Sequence, residues 1–361
     1  MRVLIEFNNK PLYFEHPRRE IVCHDPRGFR SAWEDIARAQ QEGFWVAGYA
    51  SYEAGLLFEP TLGACSPSEF PFLYFGIFDK PSAVRDMGGG AFTVRDRGTN
   101  IAREAYGKDI ECIRDHIRRG NVYQITYCIK QRFGFSGSAP GLYQALKRYQ
   151  PVPYAAYIEA GENRIVSLSP EMFFRKEGAR IEANPMKGSW PRGGLRNDLL
   201  GGWLLRNDPK NRAENVMIAD LLRNDLGRIG RAVRVPSLFD VARYRTIYQM
   251  TSCVTAEVPA DTGPETLFRA VFPSGSVTGA PKVEAMRIIR GLEREPRHIY
   301  TGAIGYFSPR GDAFFNVPIR TLLLRGTDGE MGIGGGIVWD STSDGEWEEG
   351  RWKARFLTEL F

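Results

Sequence analysis

The run Tyr123-Gln124-Ile125-Thr126-Tyr127-Cys128-Ile129 alternates from side to side as a β-strand does, and the alternation returns at residues 155–158, 164–168, 173–175 and 180–182. Strands that follow one another, interrupted by helices that come singly, predict an α+β chain with a mostly antiparallel sheet rather than a series of βαβ units. Upstream, residues 102–119 read as a helix, with Ala105, Ile110, Ile113 and Ile117 on its apolar face and Gly120 as its stop. Residues 80–100, with Gly88-Gly89-Gly90 in the middle, read as a loop or hinge. Before that, residues 3–5, 20–23, 43–49 and 72–78 read as strands, and residues 29–41 as a helix with a stripe of Ala32, Trp33, Ile36 and Ala39. Residues 1–95 are thus a strand-rich region integrated with the main fold, which occupies 96–361.

The 361 residues are 43% hydrophobic and 12% aromatic, ample for a buried core. The net charge of +5 is spread without a basic block, which argues against nucleic-acid binding and suits an anionic small molecule. The N-terminus reaches charge and amide too early for a signal peptide, and no apolar run approaches the ~20 residues that span a bilayer. A cytoplasmic protein with no membrane association is expected. Cys23, Cys65, Cys112, Cys128 and Cys253 are scattered and never in CxxC pairs, so reduced thiols are expected rather than disulfides or a zinc site. The four histidines show no ligand spacing.

Four stretches could carry chemistry, beginning with Lys187, which stands between Pro185 and Pro191 beside Gly188, on what reads as a shaped turn. It is a candidate nucleophile or an ordinary loop lysine, and Glu171, in the upstream turn Ser169-Pro170-Glu171, is a candidate acid or a solvated carboxylate. Residues 211–225 form a strong helix pattern with Glu214 in its first turn, where the helix dipole favours a carboxylate. Val216, Ala219 and Leu222, or Met217 and Leu221, would face the core, and Asp220, Arg223, Asn224 and Asp225 would form an internal network or a surface. Gly275 and Gly279 precede a helix carrying Ala285, Ile288, Ile289 and Leu292, with Pro281 suited to its first position. That is either an anion cradle or a plain loop-to-helix junction, and its spacing is not that of a Walker A loop. Finally, Gly334-Gly335-Gly336 leads to a helix from about residue 346 with Glu346, Glu349 and Lys353 on one face and Trp352, Phe356 and Leu360 towards the core. Glutamates one turn apart can hold Mg²⁺ or can simply be a solvated acidic face.

In order, SPE at 169–171, AEN with DLLRND at 213–225, PSGSVTGAPK at 273–282, TGAIGY with IRT at 301–321, and GGGIV with EWEE and Lys353 resemble the chorismate-utilising enzymes. These comprise anthranilate synthase component I, aminodeoxychorismate synthase component I, isochorismate synthase and salicylate synthase, and the resemblance covers roughly residues 100–361. It implies a single chorismate-binding, anthranilate synthase component I-like fold: two mostly antiparallel sheets packed together with flanking helices. It implies Glu214 and Glu349 as Mg²⁺ ligands with Glu346 assisting. Ser276, Thr278, Gly279, Arg320, Gly334, Gly335, Gly336 and Lys353 would bind the carboxylates of chorismate, and Glu171 would protonate the departing C4 hydroxyl.

Lys187 resembles the lysine of aminodeoxychorismate synthases, where anthranilate and isochorismate synthases carry alanine. The resemblance implies that Lys187 attacks C2 and ammonia then enters at C4, giving 4-amino-4-deoxychorismate for para-aminobenzoate and folate synthesis. It also implies a glutamine amidotransferase subunit as partner in a heterodimer. No amidotransferase segment is visible in the sequence, and no room is expected for a fused lyase. Water-using relatives carry an activating lysine where Gln124 stands, and a glutamine is no general base. An attacking lysine must shed its proton, and a shift of about three units from ~10.4 amounts to roughly 4 kcal/mol, to be supplied by burial and a nearby cation such as Arg192 or the metal. The alternatives are ortho amination, as in anthranilate synthase component I, and a non-catalytic chorismate-binding subunit. Departures from the family pattern are Gln249 for histidine, Gly350 for threonine and Ser189 for threonine. Ile5-Glu6-Phe7-Asn8 lacks the serine of the tryptophan-binding segment, so tryptophan feedback is not expected.

Overall fold

A computed structural model describes residues 1–83, 87–244 and 247–360, the side chains of Pro191 and Leu195 excepted. Two antiparallel sheets, one of nine strands and one of ten among the described residues, carry helices on their outer faces. The alternation at Tyr123 becomes the long strand Gln124–Gly137, which pairs with Asp328–Ile337 on one side and Phe92–Thr99 on the other. Thr321–Arg325, Asn163–Ser169, Tyr154–Ala160, Arg2–Phe7 and Lys10–Glu15 extend that sheet. The second sheet runs from Met186–Pro191 at one edge through Ile247–Glu257, Arg180–Ala183, Met172–Glu177, Ala313–Asn316 and Ala303–Phe307 to Trp45–Ala50, Leu73–Phe78 and Arg19–Cys23.

The burial pattern explains the layers. Val3, Ile5 and Phe7 project from one sheet to meet Ala47, Tyr49 and Phe78 of the other, whereas Leu4, on the opposite face of its strand, joins the helix-covered side. The helices Phe29–Gln41, Pro209–Gly227 and Pro264–Val271 cover one outer face, and Arg103–Arg118, Ala139–Tyr149, Lys282–Leu292 and Ser343–Thr358 the other. Strands of residues 1–95 lie in both sheets. The five cysteines are unpaired. No helix among the described residues is long and apolar enough to cross a membrane.

Several local expectations are corrected. Residues 80–100 contain the strand Phe92–Thr99 rather than forming a hinge throughout, and residues 84–86 of that stretch lie outside the described residues. Glu214 is the sixth residue of the helix Pro209–Gly227, past its first turn, so the helix dipole does not account for its carboxylate. Val216 is exposed, and Ile218, Ala219 and Leu222 form the core face. Asp220 pairs with Arg223 at the surface, whereas Asp225 makes a buried ion pair with Lys282, so the polar residues of this helix divide between the two readings. Pro281 caps the helix Lys282–Leu292 rather than opening it. On the last helix, Ser343–Thr358, Ala354, Phe356 and Leu357 are buried while Trp352 is exposed, and Leu360 lies beyond the helix end, also exposed.

Candidate active site

Lys187 lies in the edge strand Met186–Pro191, not on a turn. Met186 pairs with Thr251 and Ser189 with Gln249, so Lys187 and Gly188 together face the single residue Met250, which is a β-bulge. Gly188 adopts φ +89, and a Cβ there would fall 2.8 Å from Asn211 Oδ1, so only glycine suits the second bulge position. The bulge brings Lys187 to a cavity of about 340 Å³ whose opposite wall is Gly334, Gly335 and Gly336 of the other sheet. A Cβ on Gly336 would lie 2.9 Å from Lys187 Nζ, and one on Gly335 would lie 2.8 Å from Glu346 Oε2. The glycines make room for these two side chains.

Burial holds the Lys187 amine below its ordinary 10.5, and the positive charge of Lys353 acts in the same direction, against Glu214, Glu171 and Glu349. Among the side chains the assisting cation is Lys353 rather than Arg192. Arg192 donates to Asp198 and to the Tyr244 carbonyl instead. Glu171 is 2% exposed, and burial pushes its carboxyl up to about 7 despite hydrogen bonds from Ser276 Oγ at 2.6 Å and Met186 N at 3.4 Å. Arg320 also lines the cavity, on a backbone at φ +52, and no carboxylate among the described residues lies within ion-pairing distance of it. Burial lowers its guanidinium to about 10. A desolvated cation on a strained backbone, without an acid to satisfy it, is what an anion site requires.

Glu214, Glu346 and Glu349 line the same cavity. Lys353 Nζ lies 2.7 Å from Glu349 and holds that carboxyl below its usual range, while Glu346 accepts from Ser341 Oγ at 2.6 Å. Burial raises Glu214 and Glu346, and the charge of Glu349 adds to both shifts. Among the described residues no three such side chains are drawn into a ready-made metal cluster. Thr278 and Gly279 stand behind the wall. Thr278 is fully buried with its hydroxyl donating to the Ser274 carbonyl at 3.0 Å, and a Cβ on Gly279 would meet Gln124 O at 2.2 Å. Ser276, Gly334, Gly335, Gly336 and Lys353 line the cavity itself.

A family model described as chorismate binding enzyme matches residues 89–359. The chain belongs to the chorismate binding enzyme family. Within it, the chain is 39% identical to aminodeoxychorismate synthase component 1 of Klebsiella aerogenes over 69% of its own length and 56% of that protein. It therefore spans little more than half of that relative. Anthranilate synthase component 1 of Methanothermobacter thermautotrophicus is 32% identical over 94% of this chain and 79% of that protein. Among solved structures, anthranilate synthase component I from Streptococcus pneumoniae superposes with a TM-score of 0.80 at 25% identity, covering 98% of this chain and 92% of that one. The menaquinone-specific isochorismate synthase of Escherichia coli shares the fold, with a TM-score of 0.79 at 17% identity over 99% and 88% of the two chains.

The family cavity also holds residues that sequence reasoning passed over. Lys210, Asn211, Thr126 and Tyr300 line it. Lys210 stands at i, i+4 from Glu214 on one helix, a spacing that could have revealed it. Gln249, noted only as a departure, lines it too. Gln124 is fully buried with both amide atoms unpartnered among the described residues, and a Cβ on Gly336 would lie 2.1 Å from its Nε2.

Proposed function

We propose that this family member aminates chorismate at C4 with ammonia, giving 4-amino-4-deoxychorismate. The observation that carries the reading is a buried lysine amine, its pKa lowered by burial, sharing one cavity with a glutamic acid raised to about 7 and an arginine that has no ion pair among the described residues. Lys187 Nζ attacks C2, the conjugated ring carries an electron pair through to C4, and the C4–O bond breaks as Glu171 gives its proton to the leaving hydroxyl, releasing water. Ammonia then adds at C4, the electron pair returns towards C2 and expels the lysine, and the Glu171 carboxylate recovers a proton from the incoming nitrogen. Because C2 is occupied when ammonia arrives, the nitrogen enters para.

Arg320, Lys353, Ser276 and the backbone at Gly334, Gly335 and Gly336 would hold the two carboxylates of the substrate. Glu214, Glu346 and Glu349 fit a hard divalent cation, since they are oxygen donors only and two of them are held towards the neutral form in a shared cavity. Bound Mg²⁺ would neutralise these carboxylates and polarise a substrate carboxylate. Gln124, a neutral amide, does not activate water. The reading carries with it a glutamine amidotransferase partner as the ammonia source, a place in para-aminobenzoate and folate synthesis, and a cytoplasmic setting. The second reading is ortho amination, favoured by the anthranilate synthase relative that matches 94% of the chain. Purified protein incubated with chorismate, Mg²⁺ and ammonium should yield 4-amino-4-deoxychorismate by mass and chromatographic mobility. Anthranilate would establish the second reading, and no turnover would point to a binding subunit.

The pH profile follows from the two shifted groups. The reactive state has Lys187 neutral and Glu171 protonated. With Glu171 at about 7 and the Lys187 amine held below its ordinary 10.5 by burial, activity at fixed free ammonia should be bell-shaped, rising as the lysine loses its proton and falling as the acid loses its own, with one break near 7. In Glu171→Gln the break near 7 should vanish from the residual activity.

Glu171 also carries a stability signature. Its folded pKa lies above the ordinary 4.5 of a glutamic acid, so the folded state binds the proton more tightly, and stability falls as pH rises from about 4.5 to about 7. Glu171→Gln should therefore lose about 10²–10⁴ in turnover yet gain on the order of 2–3 kcal/mol in denaturant unfolding at pH 8. Equal stability of the two proteins at pH 8, or a gain at pH 4 as large as that at pH 8, would contradict the assignment.

A further inference from the structure

The bulge that aims Lys187 is held by a directed hydrogen-bond chain. Asn215 Nδ2 donates to the Lys187 carbonyl at 3.4 Å, and Asn215 Oδ1 accepts from Ser252 Oγ. Ser252 Oγ in turn accepts from the Phe239 amide at 3.3 Å. Asn215 and Ser252 are each 1% exposed. A carbonyl can only accept, so the amide nitrogen of Asn215 must face Lys187, and its oxygen is left for the Ser252 hydroxyl. The chain therefore has one sense, from a backbone N–H through two buried side chains to the bulge.

This matters because a bulge interrupts the ladder that would otherwise fix the strand. Lys187 lies at that interruption, where it and Gly188 together face Met250. Asn215 follows Glu214 on the same helix, so the clamp ties the strand bearing the lysine to the helix that carries the cavity carboxylate Glu214. We infer that Asn215, oriented by Ser252, is a positioning residue that fixes the bulge and so sets where the Lys187 amine meets the substrate ring. This rests on the reading of Lys187 as the nucleophile.

The test separates aim from binding. Asn215→Ala should lower kcat by about 10–100-fold while KM stays within about threefold, since a displacement of ~1 Å at a reacting group costs rate rather than ground-state affinity. Ser252→Ala, which leaves the helix untouched, should lower kcat by about 3–10-fold with the same split, and it serves if Asn215→Ala does not fold. A kcat within about twofold of wild type, or kcat and KM moving together, overturns the clamp. Lys187→Ala run in parallel distinguishes the two ideas. Retained para amination in that variant sinks the nucleophile, whereas its loss beside an unchanged Asn215→Ala sinks only the clamp.

Discussion

Lys187→Ala is expected to lose C4 amination by roughly a thousandfold or more, because the variant removes the bond that blocks C2 and activates the ring, rather than a contact to the substrate. Chorismate affinity, measured by calorimetry, should stay within about tenfold, since Arg320, Lys353 and Ser276 remain. Two further consequences identify the mechanism. Residual amination should move to C2, giving ortho product, because that carbon is now open to ammonia. The Glu171 carboxyl should rise still further above about 7, since the Lys187 cation is one of the influences holding it down. A variant that makes 4-amino-4-deoxychorismate at the wild-type rate would remove the covalent step from the account.

Arg320→Met should show the reverse balance, with binding lost and stability gained. The guanidinium is buried, lowered to about 10, and faces no ion-paired carboxylate among the described residues, so its desolvation is uncompensated until an anion arrives. Removing a charge-assisted fork to a carboxylate costs about 2–3 kcal/mol, which predicts a KM raised by roughly 30–150-fold with a smaller effect on kcat. Arg320→Lys should recover only part of this, because a point charge lacks the planar fork. Thermal unfolding without substrate should occur at a higher temperature in Arg320→Met than in wild type. A lower midpoint together with unchanged KM would show the arginine to be structural. The φ of +52 at this position supports the functional view, since strain of this kind persists where the surroundings impose it.

Most of the fold was legible because its strands alternate and its helices carry clear stripes. Phe29–Gln41 has the bounds that Ala32, Trp33, Ile36 and Ala39 suggest. Phe92–Thr99 was not legible, since it follows three glycines and exposes Arg95, Asp96 and Arg97, so that one residue, Val94, carries the inward signal. Leu195–Asn207 leaves Leu199, Leu200 and Trp203 exposed, so its sequence does not divide into a wet and a dry face. Ala139–Tyr149 could have been found, because Ser138 caps it and Pro140 stands in its first turn.

The site divides in the same way. Motif order placed Glu171, Glu214, Glu349 and Arg320 around one cavity, although they are distant in sequence. The bulge at Lys187 could not be read, because register belongs to a strand pair, and the partner Ile247–Glu257 lies about sixty residues downstream. For the same reason the sequence points to Arg192, near in sequence, or the metal as the cation beside the lysine, whereas the side chain that acts there is Lys353, near in space. Thr278 and Gly279 share a glycine-rich loop with Ser276, yet they build the wall behind it.

The central claim is that the Lys187 amine bonds to C2 of chorismate before nitrogen arrives. Peptide mapping of protein quenched with saturating chorismate and Mg²⁺, without ammonium, tests it most directly. The peptide containing Lys187 should be heavier by chorismate less one water, and the modification should disappear when ammonium is added before the quench. An unmodified Lys187 peptide from protein shown to be saturated with chorismate, and forming 4-amino-4-deoxychorismate once ammonium is supplied, would contradict it.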